Sequence, residues 1–364
     1  MRRRIIALLT ALASPMALAM TGPPAAAAPV SPRLTSTLAA FAWVDGTSLF
    51  SPQTTYNSAG GPVTVTENTS GFFQVTFGGL AFTGGDVQVS ANNPIGGSCA
   101  VQSWGTSGSD LVVNVDCYQL AVPSDEQFYV LVTKPASPPA GVLDYAWNDR
   151  LTSSGTLKNA YSYNSSQKTN SVTHVGTGRY LVTMPGPVVS GANTGTVKVS
   201  AYGAGAGNCQ IAGWRTVKTP VAGQQIGVDC FGPSGALQNR LFTIEYVRGN
   251  NLMGVSGQTD ANALANGTAV LYQPSVQYDS VAGAKVTVIH IDKGYYEVVT
   301  AGSTITGQAG GGNGDPQLTT VGSAYVTCGI YDAGTHQPTF YVNCNNATGH
   351  AANTAFTFQW VVIR

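Results

Sequence analysis

Histidines, cysteines, tryptophans and acidic pairs are the side chains of this 364-residue sequence from which chemistry could be built. The histidines are His174, His290, His336 and His350. His174 and His290 hold one repeated position, six residues before Tyr180 and Tyr296, and Glu67 stands six residues before Phe73. A general base duplicated in this way would need a nucleophile duplicated beside it, and none is found. Both are therefore expected to be strand residues near a sheet edge or surface. His336 and His350 lie in turn-like sequence without metal-ligand spacing to another histidine or acid. No G-x-S-x-G elbow, H-E-x-x-H helix or P-loop occurs. Gly310 to Asp315 resembles one copy of a calcium-binding glycine–aspartate repeat, but a single copy cannot stack into a β-roll. Asp116 and Asp229 recur before a cysteine, and Asn343 replaces them in a third copy, which suits a turn hydrogen bond better than acid–base work. Among 17 acids no carboxylate pair recurs in register, so no catalytic residue, metal or cofactor is nominated.

The six cysteines, Cys99, Cys117, Cys209, Cys230, Cys328 and Cys344, fall into three pairs separated by 18, 21 and 16 residues. None has the short spacing of a zinc site, and six cysteines allow 15 disulfide pairings. An internal repeat narrows them. Cys99-Ala-Val-Gln-Ser-Trp104 matches Cys209-Gln-Ile-Ala-Gly-Trp214, and Val113-Asn-Val-Asp-Cys117-Tyr118 matches Ile226-Gly-Val-Asp-Cys230-Phe231. Cys328 and Cys344 follow without the tryptophan or the second aromatic residue. Phe128, Phe242 and Phe356 recur at equal intervals. Pairing within each copy is therefore expected. Trp104, Trp214, Tyr118 and Phe231 are the candidate ligand-binding residues, since exposed aromatic rings can stack on sugars. The competing expectation is that the tryptophans pack over the disulfides inside the fold.

These positions need a scaffold. Only 9% of residues are charged, 17 basic and 17 acidic, and 44 are glycine. That composition argues against a helical bundle and, lacking basic clusters, against a nucleic-acid partner. With 43% apolar and 9% aromatic residues the chain can build cores. Apolar residues alternate with Thr, Ser, Gln and Asn, as in Val63-Thr-Val-Thr66 and Val197-Lys-Val-Ser200. Period-two alternation predicts strands with one buried and one solvent face. The predicted fold is all-β: three tandem antiparallel β-sandwich modules, each with one internal disulfide. Their bounds are 38–134, 142–248 and 249–364, with a proline-rich linker over 135–141. Gln308 to Asp315 reads as a mobile insertion of the last module.

Arg2 to Arg4, the apolar run Ile5 to Met20 and the Ala25-Ala26-Ala27 site read as a secretory signal peptide over 1–27, with Ala17-Leu18-Ala19 a second cleavage option. A short linker, 28–37, would follow. The run is too short and interrupted for stable membrane insertion. Removing three arginines leaves 14 basic residues against 17 acidic ones, a net charge of −3.

Tyr163-Asn-Ser165, Val175 to Thr183, Val197 to Tyr202, Cys209 to Trp214 and Val228 to Phe231 resemble a tandem cysteine-pair β-sandwich repeat of secreted bacterial proteins. The resemblance implies fold and an extracellular location; that family has no assigned function to carry over. Tyr163 to Thr183 is also faintly similar to the β-rich, trimeric end domains of phage tail fibres. The expected function is a secreted, non-catalytic binding or adhesion protein whose partner is an extracellular glycan or cell-wall polymer. A structural protein with modules packed on one another, and a hydrolase with a remote site, are the alternatives.

Overall fold

A computed structural model describes residues 38–49, 54–92, 96–135, 142–157, 160–186, 195–248, 258–279, 284–300, 314–332 and 339–363. The predicted signal peptide and linker, His336, most of the proline-rich linker and residues 308–313 of the insertion lie outside these. No described residue is in an α-helix.

The alternation forms strands as expected where one face meets solvent. Val63–Thr69 pairs with Phe72–Phe77, burying Phe73, Val75 and Phe77 while Thr64 and Thr66 stay exposed. Gly71 turns between them with φ +79°, and a Cβ there would come within 2.7 Å of the Cys117 carbonyl oxygen. Gly178 and Gly294 repeat this turn with φ +68° and +69° and the same obstruction from Cys230 and Cys344. Only glycine fits both the left-handed backbone and the close approach.

One strand order occurs three times along the chain. In each segment an outer set of four antiparallel strands carries the disulfide: Val63–Thr69, Phe72–Phe77, Asp110–Gln119 and Gly97–Ser107 in the first. The second has Ser171–Gly176, Arg179–Pro185, Gly223–Phe231 and Asn208–Val217, and the third Val286–Asp292, Tyr295–Thr300, Thr339–Asn346 and Val326–Asp332. Cys99–Cys117, Cys209–Cys230 and Cys328–Cys344 are bonded, each pair directly opposite in register. The expected pairing within copies is the one observed.

An inner set completes each segment. Leu38–Asp45, Gln127–Lys134 and Asp86–Asn92 pair in the first, Val142–Asn148, Leu241–Arg248 and Thr196–Tyr202 in the second, and Gln258–Ala265, Ala355–Ile363 and Gly314–Val321 in the third. The last-named strand of each set, Asp86–Asn92, Thr196–Tyr202 and Gly314–Val321, is called axial below.

Sheets do not stop where segments meet. Tyr202 pairs in parallel with Val101, and Val321 with Ile211, so the described strands form two nine-stranded and two five-stranded sheets. Residues 35–364 form one compact unit. Three cores lie between inner and outer strands, and a fourth cluster gathers Phe41, Leu131, Leu143, Val247 and Val361 from all three segments.

Two expectations are corrected. Val197-Lys-Val-Ser200 has no solvent face: Thr196 through Ala201 are all buried, because the polar side packs against the other segments. Gly314 and Asp315 are not insertion loop but the start of an axial strand, with Asp315 fully buried.

Candidate functional site

The axial strands place chemically matched residues at matched register. Asp86, Thr196 and Asp315 share one level, Gln88, Lys198 and Gln317 the next, and Ser90, Ser200 and Thr319 the third. At the third level a closed hydrogen-bond cycle joins the segments. The Leu318 N–H donates to Ser90 Oγ at 2.8 Å, the Val89 N–H to Ser200 Oγ at 2.9 Å, and the Val199 N–H to Thr319 Oγ1 at 3.1 Å. Each hydroxyl thus receives the amide preceding its own counterpart in a neighbouring segment. Ser90 also donates to Gln317 Oε1 at 2.8 Å and Ser200 to Gln88 Oε1 at 2.9 Å. Thr243 and Thr357, at one register of the adjoining inner strands, donate to the Val87 and Val197 carbonyls at 2.8 and 2.7 Å. Buried polar faces of this kind hold only when their groups are paired.

One level breaks the symmetry with charge. Lys198, 2% exposed, stands opposite Glu245 in register, where the first segment has Gln88 opposite Leu131 and the third Gln317 opposite Gln359. Burial lowers the Lys198 pKa to about 7, and Glu245 and Asp315 oppose that shift. Burial holds the Asp315 carboxyl well above the usual carboxylate range and raises Asp86 to about 7. Asp144, behind this level, is raised to about 6, again by burial, against hydrogen bonds from Ser165.

These shifts set an unusual pH dependence. Asp86 and Asp144 hold their protons more tightly folded than unfolded, so their contribution is complete below about pH 4 and is lost as pH rises through about 7 and about 6 respectively; Asp315 shifts in the same direction. The Lys198 contribution is present above its unfolded value and is lost as pH falls through about 7. Between about pH 4 and about pH 7 Lys198 adds little slope, and the carboxyls act together. The melting temperature is therefore expected to be higher at pH 5 than at pH 7, and Asp86→Asn is expected to flatten the slope, each carboxyl being worth up to about 1.4 kcal/mol per pH unit. A scan showing the protein less stable at pH 5 would contradict this assignment.

The repeated aromatics lie at the joins between segments. Trp104 is 8% exposed and donates from Nε1 to the Gly84 carbonyl at 3.0 Å. Its ring meets Trp147, Tyr161 and Tyr202 of the second segment, with centroids 6.3, 5.2 and 5.5 Å away. Tyr118 is buried, and its hydroxyl accepts from the Gly205 N–H at 3.1 Å. Phe231 is buried and edge-packed on Tyr325 of the third segment at 5.7 Å. Trp214 is half-buried against the second core. Trp104, Tyr118 and Phe231 offer no open ring face to a sugar, because a neighbouring segment occupies it. At the join of third to first, Asn345 follows Cys344 in place of an aromatic and lies so close to Gly96 that a Cβ there would approach its Cβ within 2.9 Å. Trp43 and Tyr129 of the first segment complete the third core.

His174 and His290 are strand residues, as expected, paired with Tyr180 and Tyr296: Nε2 of each meets Asn239 or Asn353 Oδ1 at 3.0 and 3.1 Å, and those oxygens also accept from the Gly178 and Gly294 N–H groups of the adjoining turns. Asp116 accepts from Gln102 and Tyr118, and Asp229 lies 4.0 Å from Arg179. His350 bonds Thr348 in a turn. Where the three axial strands meet, Ser98, Asn208 and Thr327, each preceding a cysteine, line an open pocket of about 30 Å³ with no carboxylate or histidine in its wall. Among the described residues no group of three or more His, Cys, Asp and Glu could hold a metal, and no helix is long and apolar enough to cross a membrane.

The sequence pointed to the aromatics but not to the axial residues. Their one signal is that Asp86, Gln88 and Ser90 align with Thr196, Lys198 and Ser200 in the repeat Val87-Gln-Val-Ser-Ala91 and Val197-Lys-Val-Ser-Ala201. No protein-family model, curated protein or solved structure matches the chain.

Proposed function

We propose that the protein is a secreted, non-catalytic structural body: three tandem β-sandwich modules, following a signal peptide, closed about a pseudo-threefold axis within one chain. The cyclic bonding of Ser90, Ser200 and Thr319 carries this reading, since a row of independent modules gives such hydroxyls no partner. The burial of Trp104, Tyr118 and Phe231 at the joins supports it: the repeated aromatics bind the modules to one another rather than to a ligand. The faint similarity to trimeric tail-fibre ends accords with it. In this reading a single chain does what three copies do in a homotrimer, and each position can then diverge.

Small-angle scattering tests the arrangement. A closed ring of about 330 residues is expected to show a radius of gyration near 20 Å. A value around 30 Å, that of three modules in a row, would overturn it.

A further inference from the structure

The three segments act as controls for one another, and one surface differs. On the outer face of the first segment, Gln74, Asn114 and Ser103 share one register row, with Gln102 bulged beside it. Gln74 donates to Asn114 Oδ1 at 3.3 Å and Asn114 to Ser103 Oγ at 2.8 Å, a polar ladder. The second segment has Leu181, Gly227 and Gly213 in that row, with Ala212 bulged beside it. The third has Glu297, Tyr341 and Asp332, with Tyr331 bulged beside them.

Tyr341 and Tyr331 both meet Tyr295. The Tyr295 and Tyr341 rings are 5.9 Å apart and nearly parallel, at 18°; Tyr331 stands edge-on to Tyr295 at 6.3 Å and is 47% exposed. Tyr296, Val298, Phe340 and Val342 alternate with these residues and fill the core, so the tyrosines face outward. Toward the opposite edge of the sheet Leu271 and Ile291 are 66% and 47% exposed. The fold forms twice in this chain without such a surface, so packing does not require it. Contiguous exposed aromatic and apolar side chains mark an interaction site.

We propose that this outer face of the third segment binds a neutral polysaccharide. Tyrosine rings match the C–H face of a pyranose and their hydroxyls match its edge. The charge selects against other polymers: Glu297 and Asp332 are the ionisable groups in the row besides the tyrosines, both acidic, and no lysine or arginine is in it to receive a phosphate, sulfate or uronate. The proposal is independent of the ring reading, which scattering tests without any polymer.

The test is pelleting of the full protein with insoluble cellulose, chitin and xylan. Wild type is expected to be retained on at least one of them, and Tyr331→Ala/Tyr341→Ala to bind about tenfold less. Gln74→Ala/Asn114→Ala, on the matching face of the first segment, is expected to bind as wild type does. The single variant Tyr331→Ser, at the most exposed ring, gives the same readout with least effect on packing, and melting curves verify folding. No retention of wild type on any of the three polymers, or equal retention of wild type and the double tyrosine variant, overturns the proposal. Concentration-dependent self-association of wild type that the tyrosine variant loses, without polymer retention, would make a second copy the occupant and equally overturn it.

Discussion

At pH 5, where Lys198 is charged, Glu245→Leu is expected to destabilise the protein by about 3 kcal/mol, and adding Lys198→Gln is expected to recover most of the loss. The single change leaves a buried ammonium without its cross-strand carboxylate and removes the acceptor of the Thr133 hydroxyl, which bonds Glu245 Oε2 at 3.4 Å. Lys198→Gln alone strands the carboxylate instead and is expected to cost a similar amount. The double variant reproduces Gln88 opposite Leu131, a pair already accommodated at this level in the first segment. Urea unfolding of the four proteins checks it. Singles within about 1 kcal/mol of wild type, or a double variant no better than either single, would show that the pair is not coupled.

Trp104→Ala is expected to cost about 3–5 kcal/mol, the usual range for emptying a buried tryptophan site. The loss combines contacts to Trp147, Tyr161 and Tyr202 with the bond to the Gly84 carbonyl. Because the first segment supplies the indole and the second the rings around it, the cavity opens at a join rather than inside one core. Trp214→Ala, at the corresponding place in the second segment but only half-buried, is expected to lose clearly less. Comparable losses for the two, measured by denaturant midpoint, would contradict the burial seen here.

Local pattern made much of this legible beforehand. Period-two alternation marks strands whatever they pack against, and a cysteine repeat with fixed flanking residues singles out one pairing from 15. Hence the all-β class, the three disulfides and the strand positions of His174 and His290 could be read from residue order. Alternation also says which side of a strand is apolar. It does not say that the polar side meets water. Gln88, Ser90, Lys198, Ser200, Gln317 and Thr319 look like solvent-facing residues, because the groups that bond water also bond one another when a neighbouring strand supplies the partner. The reverse holds for Trp104 and Tyr118, whose aromatic rings would suit an open platform or a join equally well. Each of those choices depends on partners roughly a hundred residues away, across a boundary that no local period encodes. The sequence by itself therefore determined the strands, their staples and their repetition. Tertiary structure decided which polar faces are interior, because only the assembled segments bring Ser90, Ser200 and Thr319 to one another's backbone.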